Sequence, residues 1–179
     1  VAGAGDFNGF ETLLAADAAL PAAQEVAGST VDATNVVVEL GKVVDAIPSA
    51  LYGDPNLYIY ASQNVFRAYK RALGGFGASG LGANGYMNQG NNQDINVEFV
   101  DGVKIFMANG LSDNTMIATT KDNLWFGTGL MADHNEVRIL DMSDLDGSRN
   151  FRVIMRYSAG VQYGVVSDIV TYGIANGAN

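Results

Sequence analysis

The sequence contains no cysteine, which excludes disulfide bonds, thiolate metal sites and cysteine nucleophiles. Histidine occurs once, at His134, so a histidine-rich metal site would need ligands from several copies of the chain. Basic residues are also few: 10 stand against 19 acidic residues, for a formal net charge of -9. Nucleic-acid binding needs clustered Lys and Arg that displace phosphate counterions, so we expect no sequence-specific nucleic-acid binding.

Long apolar runs are absent too. No stretch approaches the roughly 18 residues that a membrane-spanning helix needs, so we expect no membrane partner. The chain starts at Val1 rather than Met, which indicates a processed chain or a fragment. Of its 179 residues, 48% are hydrophobic, enough to bury the core of one large domain or of two small lobes.

The first half of the chain shows helical spacing. Residues 7–19 allow a short helix. The pattern predicts a longer one over residues 35–51 with a buried face formed by Val37, Leu40, Val44, Ile47 and Leu51, whereas Glu39 falls outside that face. Pro48 disfavours a helical residue before it, so this helix is expected to kink or end early.

A strand and a second helix follow. The apolar run 57–60 predicts a buried strand, and Ser62 caps a helix over residues 63–73. The predicted inner face of that helix is Val65, Phe66, Tyr69 and Leu73, and its outer face is Arg67, Lys70 and Arg71.

A segment rich in Gly, Asn and Gln comes next at residues 74–94, and its length predicts a mobile loop. It matches the G-x-G-x-x-G pattern twice, at residues 75–80 and 80–85. Nucleotide binding by that motif needs a strand before it and a helix after it, whereas here a helix precedes and a polar stretch follows. A P-loop is excluded because Leu81 stands where the phosphate-binding lysine is required.

The period then changes to two, which indicates strands. Asp101-Gly102 predicts a tight hairpin between strands at residues 96–100 and 103–108. Further strands are predicted at residues 115–120, 124–126, 136–140, 162–166 and 168–172. In residues 151–157, Phe151, Val153, Met155 and Tyr157 alternate with Arg152, Ile154 and Arg156, which is typical of a half-buried strand. Helices come first and strands later, so the predicted class is α+β with a mixed or antiparallel sheet flanked by helices.

The sequence predicts neither an enzyme nor a bound cofactor. The single histidine lies in a polar, turn-like setting, and no nucleophile, base and orienting group converge around it. Asp141, Asp144 and Asp146 form an acidic turn that fails the EF-hand pattern, because Met142 falls at the first ligand position. Weak binding of a divalent cation there stays open.

Five segments carry a likeness to a known family. They are the helix at 35–51, LYIYAS (57–62) leading into QNVFRAY (63–69), the strand pair at 97–105, TMIATTKDNLWFGT (115–128) and FRVIMRYSAGVQ (151–162). Together they resemble the C-terminal portion of tailed-bacteriophage major capsid proteins, which have the Hong Kong 97-type fold. That fold implies an axial lobe, a peripheral lobe with a spine helix, an N-terminal arm and an extended loop. Spine helix, arm and loop have no counterpart in this sequence.

The resemblance implies three regions: an N-terminal segment of a peripheral lobe (1–34), an axial-type lobe with the mobile loop (35–135), and closing strands shared between lobes (136–179). It implies a structural subunit of an icosahedral shell that forms pentamers and hexamers around packaged DNA. Such a protein is expected in the virion, and in the host cytoplasm during assembly. Its partners are copies of itself, with other capsid proteins as further candidates. The candidate subunit-contact residues are Arg67, Lys70, Arg71, Gly80, Gly85 and Asn88. A cellular, encapsulin-like shell and a secreted β-rich adhesion module remain open as alternatives.

Overall fold

A computed structural model describes residues 8–73, 97–129, 137–142, 147, 149–155 and 159–176. The α-helices in these ranges are α1 (Phe10–Ala15), α2 (Val36–Asp45) and α3 (Gln63–Leu73). The strands are β1 (Glu25–Val26), β2 (Leu57–Ala61), β3 (Val97–Val100), β4 (Val103–Met107), β5 (Met116–Thr120), β6 (Leu124–Thr128), β7 (Val137–Asp141), β8 (Phe151–Met155), β9 (Ala159–Tyr163) and β10 (Val170–Tyr172).

Six of the strands form one mixed sheet in the order β1-β10-β5-β2-β4-β3. The pairs β1–β10 and β2–β4 are parallel, and the other three pairs are antiparallel. The predicted α+β class with a mixed sheet flanked by helices is therefore confirmed. Parallel neighbours need crossover connections, and the chain from β2 to β4 passes through α3.

The hairpin between β3 and β4 confirms the turn predicted from Asp101-Gly102. Both residues have positive φ, 45° and 82°, the combination that a two-residue type I′ turn requires. Glycine adopts positive φ without steric cost, and aspartate tolerates it better than most residues do. This turn sets the register that pairs Val100 with Val103 at the hairpin end.

One face of the sheet carries the main core. Alternate residues of the central strands point towards α2 and α3, among them Ile59, Ile105 and Met116, each at most 1% exposed. They pack with Leu40 on α2 and Phe66 on α3. On the opposite face, α1 contributes to a smaller cluster formed by Leu14, Leu20, Ile117 and Ile169.

The predicted helix over residues 35–51 is right in its start and too long at its end. Helix α2 ends at Asp45, and hydrogen-bonded turns follow, with the Ile47 amide donating to the Val44 carbonyl. The early end agrees with the effect expected of Pro48, whose ring disfavours a helical residue before it.

The predicted buried faces of both helices are partly wrong. On α2, Val37 is 53% exposed, whereas Val36 and Val43 are fully buried in its place. Val36, Val37 and Val38 are equally apolar, so their spacing does not determine which of them faces the sheet. Leu73 is 41% exposed because it lies at the last turn of α3, beyond the edge of the core.

Candidate subunit interface

The basic residues predicted for subunit contact lie on α3, as expected, but their environments differ. Arg67 and Arg71 are exposed. Lys70 is half-buried, its Nζ 3.5 Å from Oε1 of Glu98 on β3 and 5.0 Å from the ring centre of Phe66. Lys70 therefore packs against its own chain, and Arg67 and Arg71 are the better placed of the three to reach a neighbour.

Several predicted site residues lie outside the described residues. These are Gly80, Gly85 and Asn88, together with the whole predicted loop 74–94, and also His134, Asp144 and Asp146. The remaining residue of the acidic turn, Asp141, is exposed at the end of β7. Cation binding at this turn therefore stays a prediction.

Two antiparallel pairs of strands lie outside the six-stranded sheet. β6 pairs with β9, and β7 pairs with β8, both in antiparallel register. In chain order the β7–β8 pair lies between β6 and β9, so the pairing is nested in sequence, and the Met142 amide donates to the Asn150 carbonyl beside the inner pair. Among the described residues, neither pair gains a third strand. We call the inner pair, β7 and β8, the distal ribbon.

One face of the distal ribbon is apolar and exposed. Alternation places Val137, Ile139, Phe151 and Val153 on the same face, and these side chains are 56%, 68%, 68% and 64% exposed. Asp141, opposite Phe151, lies at one end of this face. The half-buried strand predicted at residues 151–157 is therefore wrong about burial: its apolar face is found, but no described element covers it. A contiguous exposed apolar face of this kind is typical of an interaction surface.

The opposite face of the distal ribbon carries arginine. Arg138 is paired with Ile154, and Arg152 with Leu140, so two guanidinium groups project away from the apolar side. The same face also holds Leu140 and Ile154, both half-buried, so it is mixed, and the exposed apolar side chains lie mainly on the other side.

The side-chain amide of Asn123, which is 7% exposed, attaches the β6–β9 pair to the main sheet. Its Nδ2 donates to the Val165 carbonyl at 2.8 Å and to Oγ1 of Thr119 at 3.1 Å. Its Oδ1 accepts from the backbone amides of Gly164 at 3.1 Å and Val165 at 2.7 Å. One side chain therefore joins the start of β6, the end of β9 and the sheet strand β5.

A second anchor links β9 to the N-terminal segment. The hydroxyl of Tyr163 donates to a carboxylate oxygen of Asp17. Burial, together with this carboxylate, raises the pKa of Tyr163 to about 12. The same hydrogen bond, supported by the backbone amide of Ala19, lowers the pKa of Asp17. The tyrosine therefore stays a neutral donor, and the carboxylate a charged acceptor, at neutral pH.

A buried carboxylate joins α2 to the last sheet strand. Glu39 is 6% exposed, and Lys42 donates to both of its oxygens at 2.9 Å. The Tyr172 hydroxyl donates to its Oε2 at 2.7 Å and accepts from the Ser29 amide at 3.1 Å. The hydrogen bonds from Lys42 and Tyr172 lower the pKa of Glu39. This network ties together three distant parts of the chain.

A polar groove lies beside β1 and β10, with a volume of about 730 Å³. It is lined by backbone and by short polar side chains, including Asp113, Asn114 and Asn176. The Asn176 amide donates to Oε1 of Glu25 at 2.7 Å, so this carboxylate is engaged by its own chain. Within the described ranges, no three His, Asp or Glu side chains come together in a way that could hold a metal ion.

The residues that make these long-range side-chain hydrogen bonds could not be identified from the sequence. Asn123, Tyr163 and Tyr172 act through partners between 4 and 146 residues away, so no local pattern marks them. The one available signal was the alternation of residues 151–155, broken only by Ile154, which identifies one apolar face but not its exposure.

The described residues thus define an α+β protein with a mixed sheet, helices against it and two separate antiparallel strand pairs, the inner of which has an apolar face that no described element covers. None of the described helices has the length and apolar character needed to cross a membrane. No known family model matches the sequence, and no curated protein matches it.

Among solved structures, a chain from Mycobacterium phage Che8 has a similar fold, with a TM-score of 0.57 and 15% sequence identity. The similarity covers 86% of this chain and 54% of the phage chain, so this chain spans about half the length of that neighbour. At this identity, the likeness concerns the fold.

Proposed function

We propose that this chain is a structural subunit of the icosahedral shell of a tailed bacteriophage. In this proposal it has the Hong Kong 97-type fold, comprises an axial lobe and part of a peripheral lobe, and assembles into pentamers and hexamers around packaged DNA. The observation that carries the proposal is the fold shared with a phage chain over 86% of the sequence. The resemblance of the sequence to major capsid proteins supports the same class.

The surface supports a self-assembling role. A protein that works as a monomer rarely leaves a contiguous apolar sheet face uncovered, whereas a subunit of an assembly buries such a face against a neighbour. The partners in this proposal are copies of the chain, and its place is the virion shell. The acidic balance suits a wall that encloses DNA, since a net charge of -9 opposes adsorption of phosphates.

The proposed role is structural rather than catalytic, with no resident cofactor. Mass spectrometry and elemental analysis of the purified chain test this part directly. A stoichiometric nucleotide or transition metal would contradict it.

Electron microscopy of negatively stained, purified protein tests the assembly itself. We expect rings or closed shells of uniform diameter, together with a fast-sedimenting species in analytical ultracentrifugation. A chain that stays monomeric at every accessible concentration, and forms no particle, would contradict the proposal.

A further inference from the structure

We infer that the apolar face of the distal ribbon is covered by the same face of a second copy of the chain. This inference rests on the proposed assembly and names the surface through which copies meet. The face comprises Val137, Ile139, Phe151 and Val153, each more than half exposed. An isolated two-stranded hairpin is marginally stable in water, so this ribbon gains most from a partner that covers its apolar side.

The distribution of charge favours a second copy as that partner. Residues 137–155 contain three arginines and three aspartates, so their formal charge is zero, and the rest of the chain carries the whole -9. Contact between the acidic bodies of two copies is opposed by like charge. Contact through the ribbon brings together the parts of two copies that carry no net charge. A like face is also complementary to itself, because its central pair, Ile139 and Val153, is apolar and Asp141 lies only at one end, beside Phe151.

The area of the face sets the strength of the contact. Four side chains make a small contact, whereas a stable interface usually buries about 800 Å² per partner and engages about 20–30 residues a side. The ribbon contact alone is therefore weak, and it becomes stable when further contacts between the same copies form in an assembly.

Cross-linking through single introduced thiols tests the inference cleanly, because the natural sequence has no cysteine. Val153→Cys places a thiol at the centre of the apolar face, and Arg152→Cys places one on the opposite face of the same strand. Packed sheets lie about 10 Å apart, so a bis-maleimide of similar reach joins two facing thiols. We expect at least tenfold more cross-linked dimer from Val153→Cys. Equal yields from the two variants would overturn the inference.

Ionic strength separates this contact from an ionic one. Between 0.1 M and 1 M salt, the Debye length falls from about 10 Å to about 3 Å, so repulsion between the acidic bodies weakens. The yield from Val153→Cys should therefore rise with salt. A yield that falls with salt would assign the contact to the arginine face and overturn the inference.

Labelling of the same variant separates a second copy from a lipid surface. In the Val153→Cys protein, association of copies should protect the introduced thiol from a maleimide dye as the protein concentration rises, without any lipid. Protection that appears only on addition of phosphatidylcholine vesicles would assign the face to lipid and likewise overturn the inference.

A charge placed on the face gives an independent readout. Val153→Asp should lower the yield of particles at least tenfold, whereas Val37→Asp, the same change at an exposed valine of α2, should not. Circular dichroism of both variants checks that the body stays folded. Shells that form normally from Val153→Asp would refute the inference and leave the proposed function standing. Selective cross-linking of Val153→Cys without any shell would support the contact and refute the capsid role.

Discussion

The Asn123 side chain offers the sharpest test of how the β6–β9 pair is held. Replacing it with alanine removes four hydrogen bonds, two donated by its amide nitrogen and two accepted by its amide oxygen. Each such bond contributes about 0.5–1.5 kcal/mol net, and the backbone groups left behind lose a partner in a partly buried place. Since water reaches some of these groups, we expect Asn123→Ala to lower the free energy of unfolding by about 2–3 kcal/mol.

Urea unfolding measures this loss, and Asn56→Ala is the matched control. Asn56 is exposed, and its side-chain nitrogen donates one hydrogen bond, 3.1 Å to Oδ2 of Asp122. The unfolding free energy of Asn56→Ala should therefore lie within about 0.5 kcal/mol of that of the parent. Hydrogen exchange adds the location: in Asn123→Ala, amides of β6 and β9 should exchange faster while those of α2 keep their protection. If Asn123→Ala costs no more than Asn56→Ala, the β6–β9 pair is not anchored as we argue.

Three further predictions concern α2. Leu40→Ala should cost about 2–5 kcal/mol of unfolding free energy, because it opens a cavity beside the sheet, and Val37→Ala should cost less than about 0.5 kcal/mol. Gly41→Ala should raise the free energy of unfolding by about 0.5–1 kcal/mol in thermal unfolding, because alanine favours the helix more than glycine does and its Cβ meets nothing within 4 Å. Destabilisation would show that the added methyl group does not fit. Glu39→Gln should be less stable than the parent at pH 7, and the gap should close as the pH falls below the ordinary glutamate pKa. The stability difference has this pH dependence because hydrogen bonds from Lys42 and Tyr172 lower the pKa of Glu39 in the folded state, so protonation of Glu39 removes the stability that they contribute. A stability difference that does not change with pH would contradict this prediction.

The parts of the fold that could be predicted from the sequence are those fixed by local chemistry. The Asp101-Gly102 turn, the run Leu57–Ala61 and the helix Gln63–Leu73 all carry their own signals, and the structure confirms each. The short helix suggested near the N-terminus is also confirmed, as α1, with Leu14 buried. These elements need no knowledge of what they pack against.

The parts that failed depend on distant partners. Glu39 was expected outside the core, and it is buried because Tyr172, 133 residues away, donates a hydrogen bond to it. Phe151 and Val153 were expected on the buried face of a half-buried strand, but they are exposed. Alternation shows which side of a strand is apolar, and it does not show whether anything lies over that side. The pairing of β6 with β9 likewise joins Leu124 to Tyr163, which no local pattern indicates.

The contrast between the body and the distal ribbon follows from where the polar groups find partners. In the sheet and its helices, most apolar residues are buried, although Phe99 on β3 and Phe106 on β4 are exposed, and the carboxylates of Glu39 and Asp17 are hydrogen-bonded within the chain. The β6–β9 pair is held to this body by Asn123 and Tyr163. The apolar face of the distal ribbon, in contrast, is not covered by any described element. Folding of the chain and association of copies through the distal ribbon then depend on different residues. Substitutions at Asn123 and Tyr163 should change stability in the isolated chain, whereas substitutions on the apolar face of the distal ribbon should change association alone.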